Sequence, residues 1–179
     1  VSTTSPNQPA IWLFTSGSTG RPKAAMHCHR DFAFNTEVYA KGTIGYQADD
    51  ICVSVPRLFF GYATGTNLMF PFSVGASVGL FTEKPTAERI AWAVDYYGAT
   101  FLTNVPTLMS RLLESDEKCR LNLDSLRVTL SAGEALPPAL LERWQKRFHA
   151  PVYDGIGSAE MFHIYLSNRP GNIKAGSLG

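Results

Sequence analysis

The order of apolar runs constrains this chain more than any other feature. Segments 51–55, 76–81, 100–103, 127–131 and 152–153 are rich in β-branched and aromatic residues, are each bounded by Gly, Pro or polar clusters, and read as strands. Between them, Ala87, Ile90, Ala91, Val94 and Tyr97 follow i, i+3, i+4, i+7 spacing, and Leu140, Leu141, Trp144 and Phe148 form a second stripe behind Pro137 and Pro138. Both stripes are core-facing helix surfaces. Strand and helix in alternation imply βα units, hence an α/β fold with a mainly parallel sheet flanked by helices.

Near the N-terminus, Ile11-Trp12-Leu13-Phe14 reads as a strand entering a Gly/Ser/Thr loop, and Ala24-Ala25-Met26-His27 as an extended segment leaving it. A helix is expected over 31–41, with Gly42 as its stop signal.

The chain is 45% hydrophobic and 17% charged over 179 residues, enough apolar material for one domain or one lobe of a larger one. Its net charge of +1, with basic and acidic residues interspersed, gives no electrostatic argument for nucleic acid or an anionic membrane. No run approaches the roughly 20 apolar residues of a bilayer span, and the first residues lack a signal-peptide pattern, so a cytoplasmic location is expected. Cys28, Cys52 and Cys119 are odd in number and far apart, which argues against a disulfide framework. In the extended reading His27 and His29 face one way and Cys28 the other, and without a second ligand cluster this is a poor zinc site.

The strongest chemical signal is Thr15-Ser16-Gly17-Ser18-Thr19-Gly20-Arg21-Pro22-Lys23. Small hydroxyl and glycine residues allow backbone N–H groups and hydroxyls to surround phosphate oxygens closely, and Lys23 adds a point charge. Composition alone would equally suit a flexible surface loop. A Walker P-loop is excluded, because the neighbours of the lysine are Pro22 and Ala24 rather than Gly and Ser or Thr.

This string resembles the phosphate loop of the adenylate-forming (AMP-binding) superfamily of acyl-CoA synthetases, peptide-synthetase adenylation domains and luciferases. Tyr153-Asp154-Gly155-Ile156-Gly157-Ser158-Ala159-Glu160-Met161 is similar to that family's nucleotide-binding strand-turn, and Ser131-Ala132-Gly133-Glu134-Ala135-Leu136-Pro137 to a third block, where small residues let the backbone lie against adenine. With Leu58-Phe59-Phe60-Gly61-Tyr62 and His163-Ile164, these blocks resemble benzoate-CoA ligases and their aminobenzoate relatives over essentially the whole chain.

The resemblance implies an AMP-forming acid–thiol ligase using ATP, Mg2+ and coenzyme A on a small aromatic carboxylic acid. It assigns ATP/AMP binding to Thr15, Ser16, Gly17, Ser18, Thr19, Gly20, Lys23, Ala132, Gly133, Glu134, Asp154, Gly155, Ile156 and Gly157, and catalytic roles to Lys23 and Glu160. Glu160 would also hold magnesium, while Tyr62, His163 and Ile164 would surround the aryl carboxylate. A flat apolar slot with few polar groups suits such an acid. Without the resemblance, Glu160 would be an ordinary helix N-terminal carboxylate, the aromatics core residues and His163 a satisfied buried histidine.

Departures from the family pattern are Ala24 for the usual glycine, Ala63 for another, and Ala159 for the threonine preceding the glutamate. The last removes a phosphate donor, worth roughly 1–3 kcal/mol. The family's ribose-binding aspartate, hinge and lysine-bearing C-terminal domain are absent from residues 1–179, so the chain is expected to be a partial N-terminal domain that does not turn over alone. Transfer to a carrier-protein phosphopantetheine, or a catalytically silent nucleotide-binding fragment, are the alternative functions. Exposed apolar edges, or self-association as a homo-oligomer, would fit such a truncation.

Overall fold

The computed structural model describes residues 3–15 and 20–179. Strands β1 (Pro9–Thr15) and β2 (Lys23–Cys28) form an antiparallel two-stranded hairpin. The remaining strands β3 (Ile51–Ser54), β4 (Ser77–Val78), β5 (Phe101–Asn104), β6 (Val128–Ser131), β7 (Val152–Gly157) and β8 (Ile164–Ser167) make a six-stranded sheet in the order β4-β3-β5-β6-β7-β8. Only the β7–β8 pair is antiparallel within it. The expected α/β fold with a mainly parallel sheet is therefore the observed one.

Handedness places the helices. From β3 the chain steps one way to β4 through α2 (Gly61–Thr64), a π-helical turn (Gly65–Met69) and α3 (Phe70–Val74). It then runs the other way across β5, β6 and β7 through α4 (Ala87–Tyr97), α5 (Pro106–Lys118) and α6 (Pro138–Phe148). Right-handed crossovers in opposite directions fall on opposite faces. Strand alternation divides the core accordingly: Val53, Leu102 and Val152 pack beneath α4–α6, while Cys52, Phe101, Val128, Leu130 and Tyr153 pack with Tyr39, Ile44 and Phe70 on the other face. The helical stripes read from sequence supply the first core, with Ile90, Val94 and Trp144 fully buried.

The helix expected over 31–41 is corrected at both ends. It starts at His29, runs as α1 (His29–Asn35) and continues as a π-helical segment (Thr36–Ile44) that passes through Gly42. The Thr43 hydroxyl donates to the Val38 carbonyl at 2.9 Å, and the left-handed residue that stops the chain is Gly45, at φ 78°. Of segment 76–81 only Ser77–Val78 pairs as a strand, and segment 152–153 extends to Gly157. Among the described residues no helix is long and apolar enough to cross a membrane.

A part-buried ion pair closes the sheet's far end. Arg127 donates to Asp50 through Nε and Nη2, both at 2.6 Å, and its guanidinium lies 4.5 Å from the centre of the Phe101 ring.

Candidate active site

Open parallel sheets place ligands outside the carboxyl ends of their strands. A slot of about 570 Å³ lies there, at the ends of β6 and β7. Its floor is backbone: Ala132 and Gly133 follow β6, and Gly157 ends β7. One wall is Phe59, Phe60, Gly61 and Tyr62 from the start of α2, another is Phe162, His163 and Ile164, and the hairpin's Trp12, Leu13 and Phe14 border the mouth. Tyr62, His163, Ile164, Ala132, Gly133 and Gly157, far apart in sequence, are thus brought together.

Small residues are required where backbones converge. Gly133 holds φ 86°. A Cβ at Gly157 would stand 2.6 Å from the His163 carbonyl oxygen, and one at Gly155 2.9 Å from the Leu166 carbonyl, because β8 folds back closely on β7. Gly65, on the π-helical turn, does the same for the imidazole: a Cβ there would meet the His163 ring at 2.5 Å.

His163 is 3% exposed, and its Nε2 donates to the Tyr62 carbonyl at 3.0 Å. Burial drives its pKa down to about 4, opposed by that bond, so the ring is neutral at pH 7 and Nδ1 is a bare acceptor without a protein partner. The Tyr62 hydroxyl is likewise buried and unpartnered, and burial raises it well above its ordinary value.

Asp154 lies one layer below, opposite Ser131 in the β6–β7 register. Burial raises its carboxyl above the usual range, against the lowering influence of Ser131 and the Gly155 N–H. Asp154 Oδ1 and Ser131 Oγ are buried neighbours with no hydrogen-bond partner beyond each other. Ile156 is half exposed beside them on β7.

Other candidates are distributed differently. Lys23 opens β2 opposite Thr15, flanking the loop, and is exposed; Gly20 holds φ 75°. Ser16, Gly17, Ser18 and Thr19 lie outside the described residues. Glu160 is exposed on the turn after β7 and borders a separate cleft of about 830 Å³ between α1 and β8 rather than the slot. Glu134 turns away toward α5, its Oε2 accepting from Thr107 N at 2.9 Å and from Thr107 Oγ1 at 2.6 Å. His27 and His29 do not share a face as an unbroken strand would require, because β2 ends at Cys28 and His29 opens α1. His27 is buried and reaches the Ala159 carbonyl.

Among the described residues no cluster of three or more His, Cys, Asp or Glu could enclose a metal. A lone exposed carboxylate such as Glu160 instead fits an ion held mainly by a substrate's phosphates, as magnesium is in nucleotide sites.

The AMP-binding enzyme family model matches residues 1–179. The chain belongs to that family. It is 40% identical over 176 residues to the benzoate–CoA ligase of Thauera aromatica, covering 98% of this chain and 33% of that one. Its fold matches an anthranilate CoA ligase, AuaEII, in complex with anthranoyl-AMP at a TM-score of 0.92 and 36% identity, covering 97% of this chain and 34% of that one. A benzoate CoA ligase from Burkholderia xenovorans LB400 matches at 0.89 and 38% identity over 98% and 35% of the two chains. The chain thus spans about a third of these family members.

Sequence reasoning missed the inward turn of Phe162 and the part played by Gly65. Trp12 and Phe14 alternate with buried Leu13, and that pattern marked one hairpin face as exposed without telling what it borders.

Proposed function

We propose that residues 1–179 are part of the N-terminal domain of an ATP-dependent, AMP-forming aryl-acid CoA ligase that activates a benzoate-like carboxylate to an acyl-adenylate and passes it to the thiol of coenzyme A. The observation that carries this reading is the slot itself. It is mainly apolar, walled by Tyr62, Ile164 and neutral His163, floored by Ala132, Gly133 and Gly157, and bordered by the hairpin that flanks the phosphate loop.

In this reading the aryl ring lies between Tyr62 and Ile164, with its carboxylate toward the hairpin. A neutral imidazole leaves the acid's charge uncompensated inside the slot, favouring its use as nucleophile at the α-phosphorus over burial as an ion pair. Asp154 Oδ1 and Ser131 Oγ, buried side by side with no partner beyond each other, are polar groups suited to an amino-bearing base. Lys23 and the loop residues Thr15 to Gly20 bind the phosphates. Glu160 would hold magnesium, which when bound neutralises charge on the phosphoryl oxygens and the departing pyrophosphate.

The relatives named above are CoA ligases, which favours CoA as acceptor over a carrier protein. The test is product analysis of the full-length protein: AMP and pyrophosphate formed from ATP in dependence on benzoate-like acids and magnesium, with CoA and a phosphopantetheinyl carrier compared side by side. Release of ADP would overturn the reading.

A further inference from the structure

His27 reaches from the hairpin to the turn that carries Glu160. It lies on β2, the strand that Lys23 opens, and is 6% exposed. Its Nε2 stands 2.6 Å from the carbonyl oxygen of Ala159, 132 positions away in sequence. A carbonyl only accepts, so the imidazole donates there. The other end of the ring faces Asp31 Oδ2 at 3.4 Å, and that oxygen also accepts from the Cys28 N–H at 2.8 Å, so the ring is placed by the first turn of α1.

The ring also packs edge-on against Phe162 at 5.4 Å, and Phe162 against Phe32 at 4.7 Å. Phe162 holds φ 69°, a left-handed conformation that costs a bulky residue energy and persists only where its surroundings impose it. Among the described residues the hairpin shares no strand pairing with the six-stranded sheet. Side-chain ties therefore decide where Lys23 stands relative to Glu160.

We propose that His27 is a positioning residue that fastens the phosphate-loop hairpin to the turn at 158–162 and so sets Lys23 and Glu160 in register across the phosphates. This rests on the adenylating reading above.

The experiment compares His27→Phe and His27→Gln in the full-length protein by amide hydrogen exchange and steady-state kinetics. Phenylalanine keeps the contact with Phe162 but cannot donate, whereas the glutamine amide can reach the same carbonyl. In His27→Phe the amides of Met161 and Phe162, which bond back to Ser158 and Ala159 within the turn, should exchange about tenfold faster. The KM for ATP should rise by a similar factor while the KM for the acid stays unchanged, and His27→Gln should restore both. Unchanged exchange in His27→Phe, or a His27→Gln variant as impaired as His27→Phe, would overturn the proposal. Where His27→Phe fails to fold, His27→Gln decides alone: wild-type protection and KM support the tie, and loss of both overturns it. If the wild-type protein released ADP, the adenylating reading would fall, while hydrogen exchange would still judge the tie itself.

Discussion

Glu134 and Thr107 form a two-point clamp, with one carboxylate oxygen accepting both the backbone N–H and the hydroxyl of the same residue. Thr107 belongs to the first turn of α5, whose N-cap Val105 offers no side-chain cap. Glu134 therefore supplies from the β6–α6 loop what the helix lacks locally, and fastens the segment that continues from Gly133.

Removing that clamp should cost stability and loosen the slot floor together. Glu134→Ala is expected to lower the unfolding free energy by about 1 kcal/mol, the usual worth of a helix N-cap. Glu134→Gln, which retains an acceptor oxygen, should lose less. Urea denaturation of both variants checks this, and equal losses would argue against the clamp.

Gly65→Ala should act on the slot without touching a ligand. Its Cβ would press on the His163 ring at 2.5 Å and on Phe70 at 2.8 Å, both enclosed. A cost of about 1–3 kcal/mol is expected from this overpacking. Acid activation should fall more than nucleotide binding does, as shown by separate titrations with acid and ATP.

His163 gives a defined pH dependence. Its folded-state pKa of about 4 lies below the ordinary value of 6.5, so folding favours the neutral ring. The stability this represents is fully present above pH 6.5 and is lost progressively as pH falls toward 4, amounting to roughly 3 kcal/mol at most. Asp50 is held below its ordinary carboxylate value by Arg127, Gln47 and Thr100 against the cost of burial, so its loss falls at more acidic pH. Replacing His163 with Phe should flatten the stability profile between pH 6.5 and 4, measured by denaturant midpoints. An unchanged slope would contradict this account.

Ala159→Thr tests the departure from the family pattern. The new hydroxyl would stand beside Glu160, and a donor to phosphate is worth roughly 1–3 kcal/mol. The variant should bind ATP, or turn it over, about tenfold better, while the His27 bond to the Ala159 backbone is unaffected. A neutral or harmful substitution would mean that no phosphate oxygen comes within reach of this position.

Much of this was legible in the sequence because it rests on local periodicity. The stripes at Ile90 and Val94, and at Leu141 and Trp144, are α4 and α6, and apolar runs located β3, β5 and β6. Strand β8 and helix α5 escaped because Ile164–Ser167 gains its pairing only when Gly155 and Gly157 let it fold back, and Pro106–Lys118 mixes charge with a narrow apolar stripe. The site divides the same way. Residues contributing backbone, Ala132, Gly133 and Gly157, were marked by their smallness, and they line the slot. Where Glu134 points depends on Thr107, and where the turn bearing Glu160 sits depends on His27 at the Ala159 carbonyl, and no local pattern specifies either.

The hairpin's independence from the main sheet separates two mechanical roles. The six-stranded sheet carries the slot floor and cannot shift without unpairing strands buried on both faces. Among the described residues the β1–β2 ribbon pairs with no strand of that sheet and is seated on it by side chains, His27 on the Ala159 carbonyl and Leu13 against Gly61. Because Trp12, Leu13 and Phe14 of the ribbon border the slot that the sheet floors, the seat of the ribbon and the width of the slot's mouth are set by the same few side-chain contacts.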